Sequence, residues 1–189
     1  VTYSVTSIGN RAFKGCDGLT GQLVIPNTVA IIDRYAFSGC SGFTGSLNIP
    51  NSVISIGEYA FSNCSSLATV KLSKAITSIG NGAYQNTIIT SLPDNGVITT
   101  IGADAFANCK KLTNISIPAS YTTLGDGAFR NCTGITNLVI PDTITGIGAN
   151  VFNGCTNLET LQLPFAGSAA NSYTSVSDMF ISNVWADNH

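Results

Sequence analysis

Six cysteines are the side chains in this sequence best equipped for chemistry: Cys16, Cys40, Cys64, Cys109, Cys132 and Cys155. A thiolate beside a base is a nucleophile, closely spaced thiols hold zinc, and pairs in an oxidising compartment form disulfides. The spacing argues against the first two. Successive cysteines lie 24, 24, 45, 23 and 23 residues apart, and the sole histidine, His189, is the last residue. The interval of 45 is two periods, with Thr87 in the missing slot. A side chain that returns once per period is a packing position, and free cysteine is a small, commonly buried hydrophobe. Buried free thiols are therefore expected. Disulfides stay geometrically open, because stacked segments lie about 5 Å apart.

The other reactive groups are scattered. Ten carboxylates recur singly in turn-like contexts, Asp33, Asp104 and Asp126 among them, with no acid and base pair. No glycine-rich phosphate loop precedes a lysine, and no set of ligands has zinc spacing. Asn63-Cys64-Ser65, Asn114-Ile115-Ser116 and Asn131-Cys132-Thr133 fit the glycosylation acceptor pattern, which an Asn- and Ser-rich chain also produces by accident. Neither an enzyme nor a bound cofactor or metal is expected. Charged residues make up only 10% of the chain, against about 25% in a typical domain. With a net charge of -2 there is no basic field to attract nucleic acid or an anionic membrane. No apolar run approaches the roughly 18 residues of a membrane span, so no membrane insertion is expected. The opening "VTYSVTSIGN" lacks a charged and apolar leader and starts in mid-pattern, which reads as a segment of something longer.

The cysteines belong to a repeat. "TSIGNRAFKGC" (6–16) returns as "AIIDRYAFSGC" (30–40), "ISIGEYAFSNC" (54–64), "TTIGADAFANC" (99–109), "TTLGDGAFRNC" (122–132) and "TGIGANVFNGC" (145–155). A weaker copy, "TSIGNGAYQNT" (77–87), fills the gap. Between the copies lie "LTGQLVIP", "FTGSLNIP", "LATVKLS", "LTNISIP", "ITNLVIP" and "LETLQLP", which alternate apolar and polar residues as a strand with one buried face does. Proline closes the strand, and the glycine of "IG" is read as permitting positive φ in a turn out of a second extended segment. A period of 22 to 24 falls inside the range of about 20 to 29 residues of leucine-rich units. One such unit cannot bury its apolar face alone; stacking does so, with Phe13, Phe37, Phe61, Tyr84, Phe106, Phe129 and Phe152 forming one continuous spine.

The alternation of "LxxLxIP" with "xxIGxxAFxxC" resembles the BspA-like leucine-rich repeat family, over about residues 4 to 164. The resemblance implies an extracellular or cell-surface location and adhesion to host proteins or neighbouring cells. The expected fold is an α/β repeat solenoid: a right-handed leucine-rich repeat arc, mostly β and irregular coil, with a parallel β-sheet on the concave face and irregular or short helical segments opposite. Residues 1–164 are expected to form about seven repeats. Residues 165–189 read either as a degenerate eighth repeat continuing the ladders through Val176 and Phe180, or as a cap with a short helix opened by Ser175 and Asp178. In both readings Trp185 shields the last edge.

The outward strand positions give the candidate binding residues, Gln22, Asn48, Lys71, Asn114, Ser116, Asn137 and Gln162, on a flat, neutral, hydrogen-bonding face. That face lacks the Trp and Tyr that commonly anchor ligands. Lys71, Lys74, Lys110 and Lys111 could cluster loosely across neighbouring coils. The fourth unit, "IITSLPDNG", departs from the pattern as either a kink or a ligand notch. The expected function is a non-catalytic recognition module for an extracellular protein or glycan, monomeric as an isolated segment. The alternative is a spacer or stalk within a larger surface protein.

Overall fold

The computed structural model describes residues 4–163. The expectations for 165–189, including Val176, Phe180 and Trp185, lie outside the described residues. Among the described residues twelve short strands follow one another: β1 (Ser7–Ile8), β2 (Ile31–Ile32), β3 (Gly45–Asn48), β4 (Ser55–Ile56), β5 (Leu67–Lys71), β6 (Ser78–Ile79), β7 (Thr100–Ile101), β8 (Ile115–Ser116), β9 (Thr123–Leu124), β10 (Asn137–Val139), β11 (Gly146–Ile147) and β12 (Thr160–Gln162). They make a solenoid of seven coils with two parallel ladders. The short ladder joins β1, β2 and β4, then β6, β7, β9 and β11; the long ladder joins β3 to β5, then β8, β10 and β12. Single bridges, Gly21 to Phe43 and Val24 to Asn48, carry the long ladder back to the first coil. Like residues stand opposite like, Ile8 on Ile32 on Ile56 and Leu138 on Leu161, because each repeat presents the same pattern at the same height.

The core lies between the ladders and is closed by the "AF" corner. Leu47, Leu138, Ile117 and Ile140 point inward and are almost wholly buried. Phe13, Phe37, Phe61, Tyr84, Phe106, Phe129 and Phe152 form a single stack, with centroids 5.2 to 5.9 Å apart and neighbouring planes within 13°. Such pairs add about 0.5–1.5 kcal/mol to the burial of the rings. The corner is itself hydrogen-bonded from coil to coil: Phe13 N donates to Ala36 O (2.8 Å), Phe61 N to Ala83 O (3.0 Å) and Phe106 N to Ala128 O (2.8 Å).

Two expectations are corrected. The α/β class gives way to an all-β solenoid, since the described residues hold no helix. In place of helical segments, each coil makes turns with two residues at positive φ. One is Arg11, Tyr35, Tyr59, Gly82, Asp104, Gly127 or Asn150; the other is Gly15, Gly39, Asn63, Asn86, Asn108, Asn131 or Gly154. Two left-handed residues four apart cannot belong to a right-handed helix. The second of these positions explains why only Gly and Asn precede the Cys/Thr slot, as those residues tolerate that region best.

The second correction concerns the "IG" glycines: Gly57, Gly102, Gly125 and Gly148 are not at positive φ. They are small because the coils touch there. A Cβ would lie 2.5 Å from Arg34 N at Gly57, 2.7 Å from Asn81 N at Gly102 and 2.5 Å from Asp126 N at Gly148.

The fourth coil interrupts both ladders. Where a long strand would run, "SLPDNG" makes a loop whose polar groups are taken by the chain itself. Asn95 Nδ2 donates to Ser73 O (2.6 Å) and Ile76 O (2.8 Å), while its Oδ1 accepts from Val97 N and Ile98 N. Tyr121 OH donates to Pro93 O at 2.7 Å. Tyr84, the one tyrosine in the aromatic stack, is 1% exposed and its hydroxyl has no partner. A buried hydroxyl without a partner costs stability. Tyr84→Phe is therefore expected to leave the unfolding free energy unchanged or raise it by about 1 kcal/mol. A loss of that size in chemical denaturation would show that the hydroxyl has a partner.

Candidate recognition surface

The surface is built by strand alternation. In β3, Leu47 turns in while Ser46 and Asn48 turn out; in β8, Ile115 turns in and Ser116 out; in β10, Leu138 turns in while Asn137 and Val139 turn out. Gln22, Asn48, Lys71, Asn114, Ser116 and Gln162 are exposed, and Asn137 is half-buried.

Parallel register sets the neighbours, and the interrupted fourth coil divides them into two groups. In the first, Asn48 stands beside Lys71, Ser46 Oγ lies 2.5 Å from Thr69 Oγ1, and Gln22 Nε2 donates to Ser46 O at 3.0 Å. In the second, Ser116 aligns with Val139 and Val139 with Gln162, while Asn114 Oδ1 accepts from Thr136 Oγ1 (2.9 Å) and Asn137 Nδ2 (2.5 Å). Asn137 Oδ1 in turn accepts from Thr160 Oγ1. Lys71 is the only charge in the set. Lys71 ends its strand, whereas Lys110 and Lys111 directly follow Cys109 before theirs, so register places them at opposite ends of the long ladder.

The sequence reading missed the mutual hydrogen bonding of this face and a matching asparagine row at the corner. There Asn86 Nδ2 donates to Asn63 Oδ1 (2.8 Å) and Asn131 Nδ2 to Asn108 Oδ1 (3.1 Å). The signal was available: asparagines 23, 22 and 23 residues apart share one place in successive coils. At the three glycosylation-like positions, Asn63 and Asn114 accept through Oδ1 and Asn131 donates through Nδ2.

The thiols face the core. All six cysteines are free; Cys16 is half-buried and the other five are buried. Each buried thiol donates to the carbonyl of the aromatic residue one coil back, among them Cys40 to Phe13 (3.0 Å), Cys64 to Phe37 (3.2 Å) and Cys132 to Phe106 (3.1 Å). Thr87, in the cysteine slot of the fourth coil, donates instead to Tyr84 O of its own coil (2.8 Å). Burial pushes Cys64 and Cys155 up to about 12 and Cys109 to about 11, and raises Cys40 and Cys132.

These groups stay neutral when folded but ionise when unfolded. The unfolded chain therefore binds fewer protons above the ordinary thiol range, and stability falls as pH rises from about 9 towards 12. A thiol reagent near pH 8 is expected to label Cys16 in the native protein and all six thiols in guanidinium. Fast native labelling of several thiols would contradict their burial.

Among the described residues no three His, Cys, Asp or Glu side chains gather to hold a metal, and no helix is long and apolar enough to cross a membrane.

Stacked coils of about 23 residues, most of them giving a strand to a parallel ladder with a polar outer face, define a leucine-rich repeat protein. The model of the BspA type leucine rich repeat region matches in six copies over residues 1–111 and 91–183. The chain belongs to that family.

Among solved structures, a leucine-rich repeat protein from Bacteroides ovatus is 30% identical, with a TM-score of 0.63 over 86% of this chain and 55% of its own. A leucine rich cell surface protein from Faecalibacterium prausnitzii is 26% identical, with a TM-score of 0.62 over 85% of this chain and 52% of its own. The T. pallidum leucine rich repeat protein is 28% identical, with a TM-score of 0.62 over 72% of this chain and 64% of its own. The chain thus spans between half and two thirds of each of these three proteins. No curated protein matches it.

Proposed function

We propose that the chain is a non-catalytic recognition module at the cell surface or outside the cell. It binds an extracellular protein or glycan of a host or neighbouring cell through the concave side of a right-handed arc. Gln22, Asn48, Lys71, Asn114, Ser116, Asn137 and Gln162 make the contacts. The observation that supports this reading is the row of outward polar side chains held in register along the long ladder. A surface fixed by backbone hydrogen bonds loses little entropy on binding, and repetition in a longer or multivalent parent raises avidity without new contacts. The surface location is supported by membership of the BspA type family and by the F. prausnitzii protein being a cell surface protein.

A spacer or stalk is the second reading, and one observation favours it. Ser46 with Thr69, and Asn114 with Thr136 and Asn137, satisfy one another, so the face is content without a ligand.

A binding screen against extracellular-matrix proteins and glycans separates the two. The Asn48→Glu, Asn114→Glu double variant is expected to keep its fold and lose about tenfold or more in affinity, because a carboxylate at 48 neutralises the adjacent Lys71 and one at 114 enters a neutral stretch of the face unpaired. Equal binding by both proteins would exclude the long ladder as the site. Silence from both would favour the spacer.

A further inference from the structure

The corner column formed by the first positive-φ residue of each coil changes character along the solenoid. In the first three coils it is filled. Tyr35 and Tyr59 stack with centroids 5.0 Å apart, the Arg11 and Arg34 guanidinium carbons lie 5.5 and 5.0 Å from the Tyr35 ring centre, and Tyr59 leaves no room for a Cβ on Gly82. In the last three coils the same positions are Asp104, Gly127 and Asn150. Asp104 lies where a Cβ of Gly127 would go, 2.6 Å from it, and beside these residues is an open hollow of about 440 Å³, lined by Asp104, Asp126, Arg130, Asn131, Ala149 and Asn150 among others. Small-molecule sites run from about 300 to 1,000 Å³.

We propose that this hollow binds one neutral sugar residue. Arg130 donates to Asp104 Oδ1 from Nε (3.2 Å) and Nη2 (2.9 Å), which neutralises that carboxylate and fixes both side chains. Asp126 Oδ1 accepts from Ala149 N at 2.8 Å, so this carboxylate is also held in place. Two carboxylates and one guanidinium leave one net negative charge, which disfavours phosphates, sulfates and uronates. The guanidinium between the acids disfavours a small cation. The lining is polar, which disfavours an alkyl or aromatic ligand. A polyhydroxyl ring matches the remaining requirement: paired donors and acceptors, no charge, and a small floor at Gly127 and Ala149. The site shares no residue with the long-ladder face, so it stands or falls independently of that reading.

Saturation-transfer NMR of the purified chain with glucose, galactose, mannose, N-acetylglucosamine and, as an ionic control, glucuronic acid tests it. Transfer to at least one neutral sugar is expected at millimolar concentration, with none to glucuronic acid. Ala149→Phe fills the hollow and should abolish the signal. Asn150→Gly keeps the positive φ without strain and removes one amide, so it should weaken binding about fivefold, the scale of one lost hydrogen bond. Circular dichroism confirms the fold of each variant. The Asn48→Glu, Asn114→Glu double variant should bind as the parent does. No transfer from any neutral sugar, equal transfer in both hollow variants, stronger transfer to glucuronic acid, or loss in the double variant would each overturn the proposal.

Discussion

Phe106→Ala is expected to destabilise the chain by about 3–5 kcal/mol, the cost of emptying a packed aromatic site. Phe106 is fully buried and stacks on Tyr84 at 5.9 Å and on Phe129 at 5.5 Å, so its removal breaks the spine into two pieces. The loss is felt at both interfaces of its coil, since stability in a solenoid is a sum of coil and nearest-neighbour terms. In a thermal melt the midpoint should fall by roughly 6–20 °C. The drop should appear with no change at the exposed long-ladder residues. An unshifted melt would mean that the ring stack does not hold the coils together.

Gly125→Ala should cost as much through the opposite mechanism. Its added Cβ would sit 2.6 Å from Ala103 N, 2.7 Å from Gly102 C and 3.0 Å from Ile101 O. All three are backbone atoms of the preceding coil. Gly125 N also donates to Ile101 O at 2.7 Å, so the coils cannot part without losing that bond. Overpacking commonly costs about 1–3 kcal/mol, and a rigid backbone neighbour puts this variant at or above the upper end. Gly9 is the internal control. It holds the same place in the first coil, but a Cβ there meets nothing within 4 Å. Gly9→Ala should stay within about 0.5 kcal/mol of the parent. Equal effects at the two glycines in a denaturant titration would remove the contact explanation.

That contrast marks how far the sequence could be read. The glycine of "IG" was visible as a recurring residue, but its reason was misread as a need for positive φ. Conformation is a property of one residue and its neighbours, whereas the approach of Gly125 to Ala103 belongs to two coils 22 residues apart. The positions that do need positive φ include Tyr35, Tyr59 and Asp104, residue types that do not announce it. Only the Gly or Asn before the Cys/Thr slot carried a legible signal. Of the irregular or short helical segments expected opposite the strands, the helical alternative fails for the same reason, since the left-handed residues that forbid it hide behind ordinary side chains.

The candidate surface was legible as a list and not as an arrangement. Alternation in "LTNISIP" and "ITNLVIP" places Asn114, Ser116 and Asn137 outward, because a strand with one buried face has a period of two. Nothing in either string shows that Asn114 accepts from both Thr136 and Asn137, or that the shortened fourth coil splits the row. The hollow at Gly127 was invisible too, as it is bounded by side chains from three coils.

The sequence by itself determined the period, the phase of the strands, the inward ring at each "AF", the cysteine packing position at each slot but the fourth, and the polar set that faces out. All of these follow from local alternation repeated at a fixed interval, and a repeat of the same pattern must stack with itself to bury its apolar face. The tertiary structure alone decided how closely the coils approach, which glycines are small for contact, where a corner is filled or hollow, and which outward groups bond each other. Those are distances between residues about 23 apart, and they are set by how one coil settles on the next.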